Sequence, residues 1–185
     1  SYLATWYLNE GYGQTRLPRS AHPSLTPCQL YPTSDGWIFI MCNKEKFWPT
    51  LCELVEQPDW VSDPRFRNFA DRLANRDALT KLLDETLAKR SSADWLSRFG
   101  GSVPAAPVND IAQALDNPFV TEHGRLQTLM HPSAGEYRLV APPVRSAETP
   151  PARPAPALGE HTDALLTELG YDARRLQKLR ASGVI

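Results

Sequence analysis

The sequence predicts a small α+β domain in which short antiparallel strands are covered by helices. An apolar run, Trp37–Cys42, follows an Asp35-Gly36 turn and has the aromatic and β-branched composition of a strand buried on both faces. Cys28–Tyr31 lies just upstream and can pair with this run as a hairpin. Leucines and aromatic residues recur at helical spacing through much of the remaining chain. At 185 residues and 42% hydrophobic content, the chain can form one domain with a core or two small ones.

The chain opens with a predicted helix at residues 1–9. Tyr2 and Trp6 share one face of this helix, and Gly11 ends it because glycine accepts a positive φ. No helix-start signal precedes it and the first residue is Ser1, so we expect further sequence upstream.

Residues 14–32 form a predicted loop that four prolines stiffen. A loop of this length inside a compact domain is uncommon and is often functional. The alternative is a connector whose arginines are merely solvated, and the residues alone favour that alternative. The polar, potentially ligand-facing residues of the loop are Arg16, Arg19, Ser20 and His22.

A helix is predicted at residues 44–57, after the hairpin. Asn43 ends the strand and can cap this helix, while Pro49 is tolerated only in its first turn. Cys52 lies on the apolar stripe of the helix, with nothing nearby to lower the pKa of its thiol. We therefore expect Cys52 in the core and not as a nucleophile.

A long helical stretch follows the turn at 63–66 and runs to about residue 90. Asn75 can split it into two helices. A capping-box pattern at Ser91 then opens a short helix, which ends at Gly100.

The next segment, residues 103–108, is apolar but contains prolines, so it is predicted as an extended edge and not as a central strand. Asn109 and Asn117 then start two short helices. Residues 125–130 and 136–140 read as two strands joined by a turn. A segment rich in Pro and Ala and two small helices complete the chain.

The composition excludes several classes of function. A net charge of −1 argues against a nucleic-acid surface, and no apolar run approaches the roughly 20 residues that span a bilayer. Three cysteines without metal-type spacing favour a reduced, cytoplasmic compartment. The four histidines are scattered, and phosphate-loop, dinucleotide, nucleophile-elbow and metalloprotease motifs are absent. The residues therefore predict no metal site and no reaction by themselves.

Short segments keep a characteristic order and spacing across nearly the whole chain. They are AHPSLTP at 21–27, SDGWI at 34–38, DPRF at 63–66, LANR at 73–76, VPAAPVN at 103–109, PALGEHT at 156–162, LGY at 169–171 and SGVI at 182–185. In this order they resemble the second half of class III CoA-transferases. That family includes formyl-CoA transferase, carnitine CoA-transferase and, as an isomerase branch, alpha-methylacyl-CoA racemase.

The resemblance implies an architecture. In this family the chain leaves a large Rossmann-like α/β domain, forms a small α+β domain and returns. Residues 1–24 would be the outgoing helix and loop, residues 25–140 the small domain, and residues 141–185 a proline-rich linker with returning helices. Two subunits would interlock as a homodimer, with the active site between the large domain of one subunit and the small domain of the other.

The resemblance also implies a function. These transferases use an aspartate that attacks an acyl-CoA thioester and passes through a mixed anhydride and an aspartyl-CoA thioester. That aspartate belongs to the N-terminal half, so no residue of this chain is assigned as catalytic. The chain would be the C-terminal part of an acyl-CoA:carboxylate CoA-transferase, forming the wall of the acyl pocket and the dimer lock. Coenzyme A thioester would be a substrate, a carboxylic acid the acceptor, and no cofactor would be bound covalently.

One departure and two alternatives accompany this interpretation. Some transferases carry a run of glycines where this chain has Arg16–Ser20, which disfavours formyl-CoA/oxalate specificity. The first alternative is a racemase-type isomerase, which an upstream His/Asp pair would distinguish from a transferase with an Asp nucleophile. The second is a non-catalytic assembly or binding module, which the intact mass would test. For either enzyme we expect the segment alone to be inactive, with apolar surface exposed on the Tyr2/Trp6 helix and on the C-terminal leucines.

Overall fold

The computed structural model describes residues 2–144, 146 and 150–185. The chain divides into two compact units, Ser1–Asn109 and Asp110–Ile185, which are described separately below. The division falls inside the range 25–140 that the family resemblance assigns to the small domain. No helix in the described ranges is both long enough and apolar enough to cross a bilayer.

Unit 1 combines five α-helices and two short 3-10 helices (Pro18–Ser20 and Pro58–Val61) with a three-stranded sheet in its described residues. In chain order its elements are α1 (Tyr2–Glu10), β1 (Cys28–Pro32), β2 (Trp37–Met41), α2 (Phe47–Leu54), α3 (Phe69–Ala74), α4 (Arg76–Leu87), α5 (Ser92–Phe99) and β3 (Ala105–Pro107).

The sheet has the antiparallel order β1-β2-β3, so β2 is the central strand. Ile38 and Ile40 of β2 are buried, whereas Trp37 and Met41 are 42% and 39% exposed. The prediction that this strand is buried on both faces is therefore wrong. Side chains alternate between the two faces of a strand, and unit 1 buries one of those faces.

The core of unit 1 lies between the sheet and helices α2, α4 and α5. Leucines of α4 and aromatic residues of α2 and α5 fill it, as expected for amphipathic helices. Cys52 is buried in this core, as predicted. The core residues are Tyr31, Ile38, Ile40, Cys42, Trp48, Leu51, Cys52, Val55, Phe66, Leu79, Leu83, Leu87, Trp95, Phe99 and Val103.

A buried arginine joins the separate segments of this core. The Arg72 side chain is fully buried on α3, and its guanidinium donates to the carbonyl oxygens of Thr26 (2.9 Å) and Phe66 (3.0 Å). It also forms an ion pair of 2.7 Å with Glu45, and it lies over the Trp48 ring at 5.2 Å. Arg72 thus links the loop before β1, the segment before α2 and the turn before α3.

The observed helix ends agree in part with those predicted from the sequence. Asn75 separates α3 from α4, and Ser91 caps α5 by accepting a hydrogen bond from the Asp94 N–H, as predicted. Asn43 does not cap α2, because that helix begins only at Phe47. Residues 44–46 form a turn instead, and Pro49 is then the third residue of the helix, where its missing N–H costs no helical bond.

Strand β3 is an extended edge, as predicted from its prolines. Ala106 pairs with Phe39, and the flanking bonds to β2 use the Pro104 carbonyl and the Val108 N–H. The intervening Pro107 therefore occupies a position whose N–H would point away from β2. This register is why the sheet accepts a proline inside a paired strand.

Unit 2 contains four short helices and one hairpin in its described residues. The predicted Asn109 cap of its first helix is wrong: Asp110 is the cap, and it forms a complete capping box with Gln113. Asn117 caps the next helix, as predicted. The elements are α6 (Ile111–Leu115), α7 (Pro118–Glu122), β4 (Leu126–His131), β5 (Gly135–Val140), α8 (Thr162–Glu168) and α9 (Ala173–Ala181).

Both units expose apolar side chains on their helices. Helix α1 has no buried residue: Tyr2, Tyr7 and Leu8 are exposed and Trp6 is half-buried. In the C-terminal helices Leu165 and Leu169 are exposed, as we expected, although Leu176 is buried. Exposed apolar surface of this kind is typical of a face that packs against another domain or subunit. The exposed large apolar residues of these helices are Tyr2, Tyr7 and Leu8 on α1, Leu165 on α8 and Leu169 directly after α8.

Candidate substrate-binding cleft

Helix α1 and the loop that follows it line a broad, open cleft of about 880 Å³. The loop returns alongside the helix, so that one wall is helical and the other is irregular backbone. Two of the four predicted candidates, Arg16 and Ser20, line this cleft. The complete lining is Leu3, Ala4, Tyr7, Tyr12, Gly13, Gln14, Thr15, Arg16, Leu17, Ser20 and Ala21.

The loop turns sharply at Pro18–Ser20. Arg19 and Ser20 both have positive φ, at 57° and 54°, although neither is glycine. Left-handed backbone costs an L-residue roughly 1–2 kcal/mol, so surrounding contacts must hold this turn in place. One supporting contact is the bond from the Ala21 N–H to the Pro18 carbonyl, at 3.1 Å.

Arg19 anchors the turn to the body of unit 1. Its guanidinium lies 2.6 Å from the Asp84 carboxylate of α4 and 5.8 Å from the centroid of the Trp37 ring. The hydrogen bond to Asp84 raises the pKa of Arg19. Arg19 lines a different cleft, of about 370 Å³ against α4, together with Gln29 and Arg76.

His22 packs against α1. Its ring stacks on Tyr2 with centroids 6.2 Å apart, and its Nδ1 accepts a hydrogen bond from the Ser24 N–H at 3.2 Å. Burial, with a smaller contribution from the positive charge of Arg76, lowers the pKa of His22. Arg76 also donates to the His22 carbonyl oxygen at 2.6 Å. His22 is therefore a neutral packing residue near pH 7, and it does not line the first cleft.

The structure thus separates the four candidates. Arg16 and Ser20 share the α1 cleft, Arg19 lines the α4 cleft, and His22 supports the junction between them. The sequence prediction missed Tyr7 and Tyr12, which also line the α1 cleft. Leu3 and Tyr7 are four residues apart on a helix, and this spacing indicates that both side chains lie on the same face and can line the same cleft.

Arg16 differs from the neighbouring arginines in its partners. Arg19 pairs with Asp84 and Arg72 with Glu45. Arg16 is exposed, and no carboxylate among the described residues lies within ion-pair distance of it. Its charge is therefore available to a ligand.

The three cysteines of the chain lie outside this cleft and are not activated nucleophiles. Burial raises the pKa of Cys28, and it raises the pKa of Cys42 and of Cys52 to about 12, so all three thiols stay protonated near pH 7. Within the ranges the structure describes, no group of three or more His, Cys, Asp or Glu side chains is placed to hold a metal ion.

Comparisons with known proteins agree with the family resemblance. The family model of CoA-transferase family III matches residues 1–162. The human succinyl-CoA:glutarate CoA-transferase is 32% identical over 100% of this chain and 43% of its own length. The succinyl-CoA:mesaconate CoA-transferase of Haloarcula hispanica is 34% identical over 89% of this chain and 41% of its own length.

A solved structure has the same fold. It is a CAIB/BAIF family protein from Brucella suis, with a TM-score of 0.73 and 29% identity over 91% of this chain and 44% of that one. The chain therefore spans about two-fifths of the length of the relatives that it matches. On the family match over residues 1–162, the chain belongs to CoA-transferase family III.

Proposed function

We propose that this chain is the C-terminal part of an acyl-CoA:carboxylate CoA-transferase. It forms a wall of the acyl pocket and part of the segment that locks the two subunits of the dimer together, while the catalytic aspartate comes from an N-terminal half. The observation that carries the proposal is the family match over residues 1–162 combined with coverage of only 43% of the human relative. In this proposal α1, α8 and α9 belong to a Rossmann-like large domain, and two subunits interlock in the cytoplasm.

The exposed apolar residues support this assignment. Tyr2 and Leu8 on α1 offer hydrophobic surface in unit 1, and Leu169 after α8 offers it in unit 2; a large domain would cover each of them. Covering one large side chain contributes about 1.5–3 kcal/mol, so several together would fix the position of the helices. The α1 cleft would then lie at the seam between two domains, where ligand sites are common.

The reaction divides between the two halves. The aspartate carboxylate attacks the thioester carbon, CoA leaves as the thiolate, and an acyl-aspartyl anhydride remains. The thiolate then attacks the aspartyl carbonyl, releasing the donor acid and forming an aspartyl-CoA thioester. The acceptor carboxylate reverses these steps. This chain would hold the acyl group, with Leu3 and Tyr7 against its methylenes and the loop through Ser20 along the opposite wall of the cleft.

The substrate class follows from the relatives. They are succinyl-CoA:glutarate and succinyl-CoA:mesaconate CoA-transferases, so the donor acyl group and both acceptors derive from dicarboxylic acids. We therefore propose a dicarboxylic acyl group and a dicarboxylate acceptor.

The test uses the complete protein, purified from its natural source. We expect an intact mass roughly twice that of this chain. We also expect the complete protein to convert succinyl-CoA and glutarate to glutaryl-CoA and succinate, with the products measured by chromatography. This chain alone should give no conversion. Exchange of the α-proton of a 2-methylacyl-CoA for deuterium, without CoA transfer, would instead identify the isomerase. Absence of both activities in the complete protein would identify a binding module.

A further inference from the structure

We propose that Arg16 binds the distal carboxylate of the dicarboxylic substrate, the one that neither carries nor accepts CoA. This inference rests on the proposed transferase function and assigns its specificity to one residue. It makes Arg16 the residue that separates dicarboxylates from monocarboxylates of the same length.

The first argument is the charge of the α1 cleft. Among the described residues that line it, Arg16 alone carries a formal charge; the others are apolar or neutral polar. A cleft with one cation and no lining anion attracts an anionic ligand. A guanidinium presents paired N–H donors that match a carboxylate bidentately.

The second argument is that this charge is not already used. The guanidinium of Arg19 is held by Asp84, and that of Arg76 donates to the His22 carbonyl oxygen. Arg16 has no carboxylate within ion-pair distance among the residues the structure describes. A substrate carboxylate would therefore gain a charge-assisted bond without displacing an internal partner.

The third argument is the composition of the cleft lining. Leu3, Ala4 and Leu17 supply apolar surface for the methylenes between two carboxyl groups, while Arg16 supplies the charge. Its volume of about 880 Å³ accommodates a short acyl chain together with part of its CoA ester. The lining therefore combines the two kinds of contact that a dicarboxylic chain needs, apolar surface for its methylenes and a cation for its free carboxylate.

The test compares two acceptors in the complete enzyme. Glutarate and valerate both have five carbons, but only glutarate has a distal carboxylate. We expect Arg16→Gln to lower kcat/KM for glutarate about 10- to 100-fold, the effect of losing a hydrogen-bonded charge. For valerate, kcat/KM should change by less than about twofold, because in a double-displacement reaction this ratio reports the acceptor half-reaction alone and not the binding of the succinyl-CoA donor; if valerate is not turned over, its inhibition constant should be equally unaffected.

Two control variants sharpen the comparison. Arg67→Gln removes another exposed arginine, 63% accessible, at a site far along the sequence from the cleft, and it should leave both acceptors unaffected. Arg16→Lys keeps the charge without the bidentate fork and should give an intermediate loss for glutarate. Because Arg16 is exposed, its variants should melt within about 1 °C of the wild type.

The failures are distinguishable. An equal loss for glutarate and valerate, as expected if Arg16 bound a CoA phosphate or only shaped the loop, overturns the inference and leaves the transferase function standing. No loss for glutarate also overturns the inference alone. A wild-type enzyme that exchanges CoA with neither acid overturns the proposed function and, with it, this inference.

Discussion

Removing the buried guanidinium of Arg72 should destabilise unit 1 strongly. The substitution Arg72→Met keeps much of the aliphatic stem but leaves the carbonyl oxygens of Thr26 and Phe66 without their donor. An unsatisfied buried carbonyl costs about 1–3 kcal/mol. The lost pair with Glu45, whose side chain is 49% exposed, adds about 1 kcal/mol or less because water replaces the partner. We therefore expect a loss of about 2–7 kcal/mol in the free energy of unfolding, most of it from the two carbonyl oxygens.

Urea unfolding, monitored by tryptophan fluorescence, measures this loss of stability in unit 1. All five tryptophans lie within residues 1–109, and the Trp48 ring is 5.2 Å from the Arg72 guanidinium. Glu45→Gln separates the two contributions, since it weakens the ion pair but keeps both carbonyl bonds; it should cost about 1 kcal/mol.

The matched control is Arg67→Met, which removes an arginine of the same region whose side chain is 63% exposed. It should change stability by less than about 0.5 kcal/mol. If Arg72→Met costs under about 1 kcal/mol, or if Glu45→Gln costs as much as Arg72→Met, the reasoning from buried carbonyl oxygens is refuted.

Three further predictions follow from the same structure. Hydrogen bonds from the Ser92 N–H and from a threonine hydroxyl lower the pKa of Asp35 in the folded protein. The stabilisation that Asp35 provides is therefore complete above its ordinary pKa of 3.8 and is lost as the pH falls through the lower folded pKa. The difference in urea midpoint between wild type and Asp35→Asn should close on acidification, and a difference that does not change with pH would contradict this. Ser20→Val should be less stable than Ser20→Gly by about 1–2 kcal/mol in thermal unfolding, because φ is 54° there; equal stability would show that the turn relaxes. All three cysteine thiols are buried, and burial raises the pKa of Cys42 and Cys52 to about 12, so a disulfide reagent at about pH 8 should titrate them only after unfolding.

Local signals in the sequence predicted the secondary structure well where one residue decides the outcome. The Asp35-Gly36 turn predicted the β1–β2 hairpin, Asn75 the break between α3 and α4, and Ser91 the start of α5. Each depends on the chemistry of neighbouring residues in the chain. Asn43 and Asn109 are counterexamples. Helix α2 begins a few residues after Asn43, and α6 is capped by Asp110, one residue after Asn109.

Features that depend on distant residues could not be predicted in the same way. Burial of Arg72 requires partners at Thr26, Glu45 and Phe66, which the fold brings together from separate loops. The candidate site behaved similarly: the sequence singled out Arg16 and Arg19 alike, and only the position of Asp84 on α4 shows that Arg19 already has a partner. The alternation of burial in β2 likewise depends on which sheet face the helices cover.

The geometry of β3 has a consequence for self-association. A free sheet edge with regularly spaced N–H donors invites strand addition from another molecule, and such additions lead to aggregates. Here Pro107 removes one outward donor, and the paired part of the strand is only three residues long. An incoming chain would find few donors to pair with, so the sheet should stop growing at its third strand even at high protein concentration.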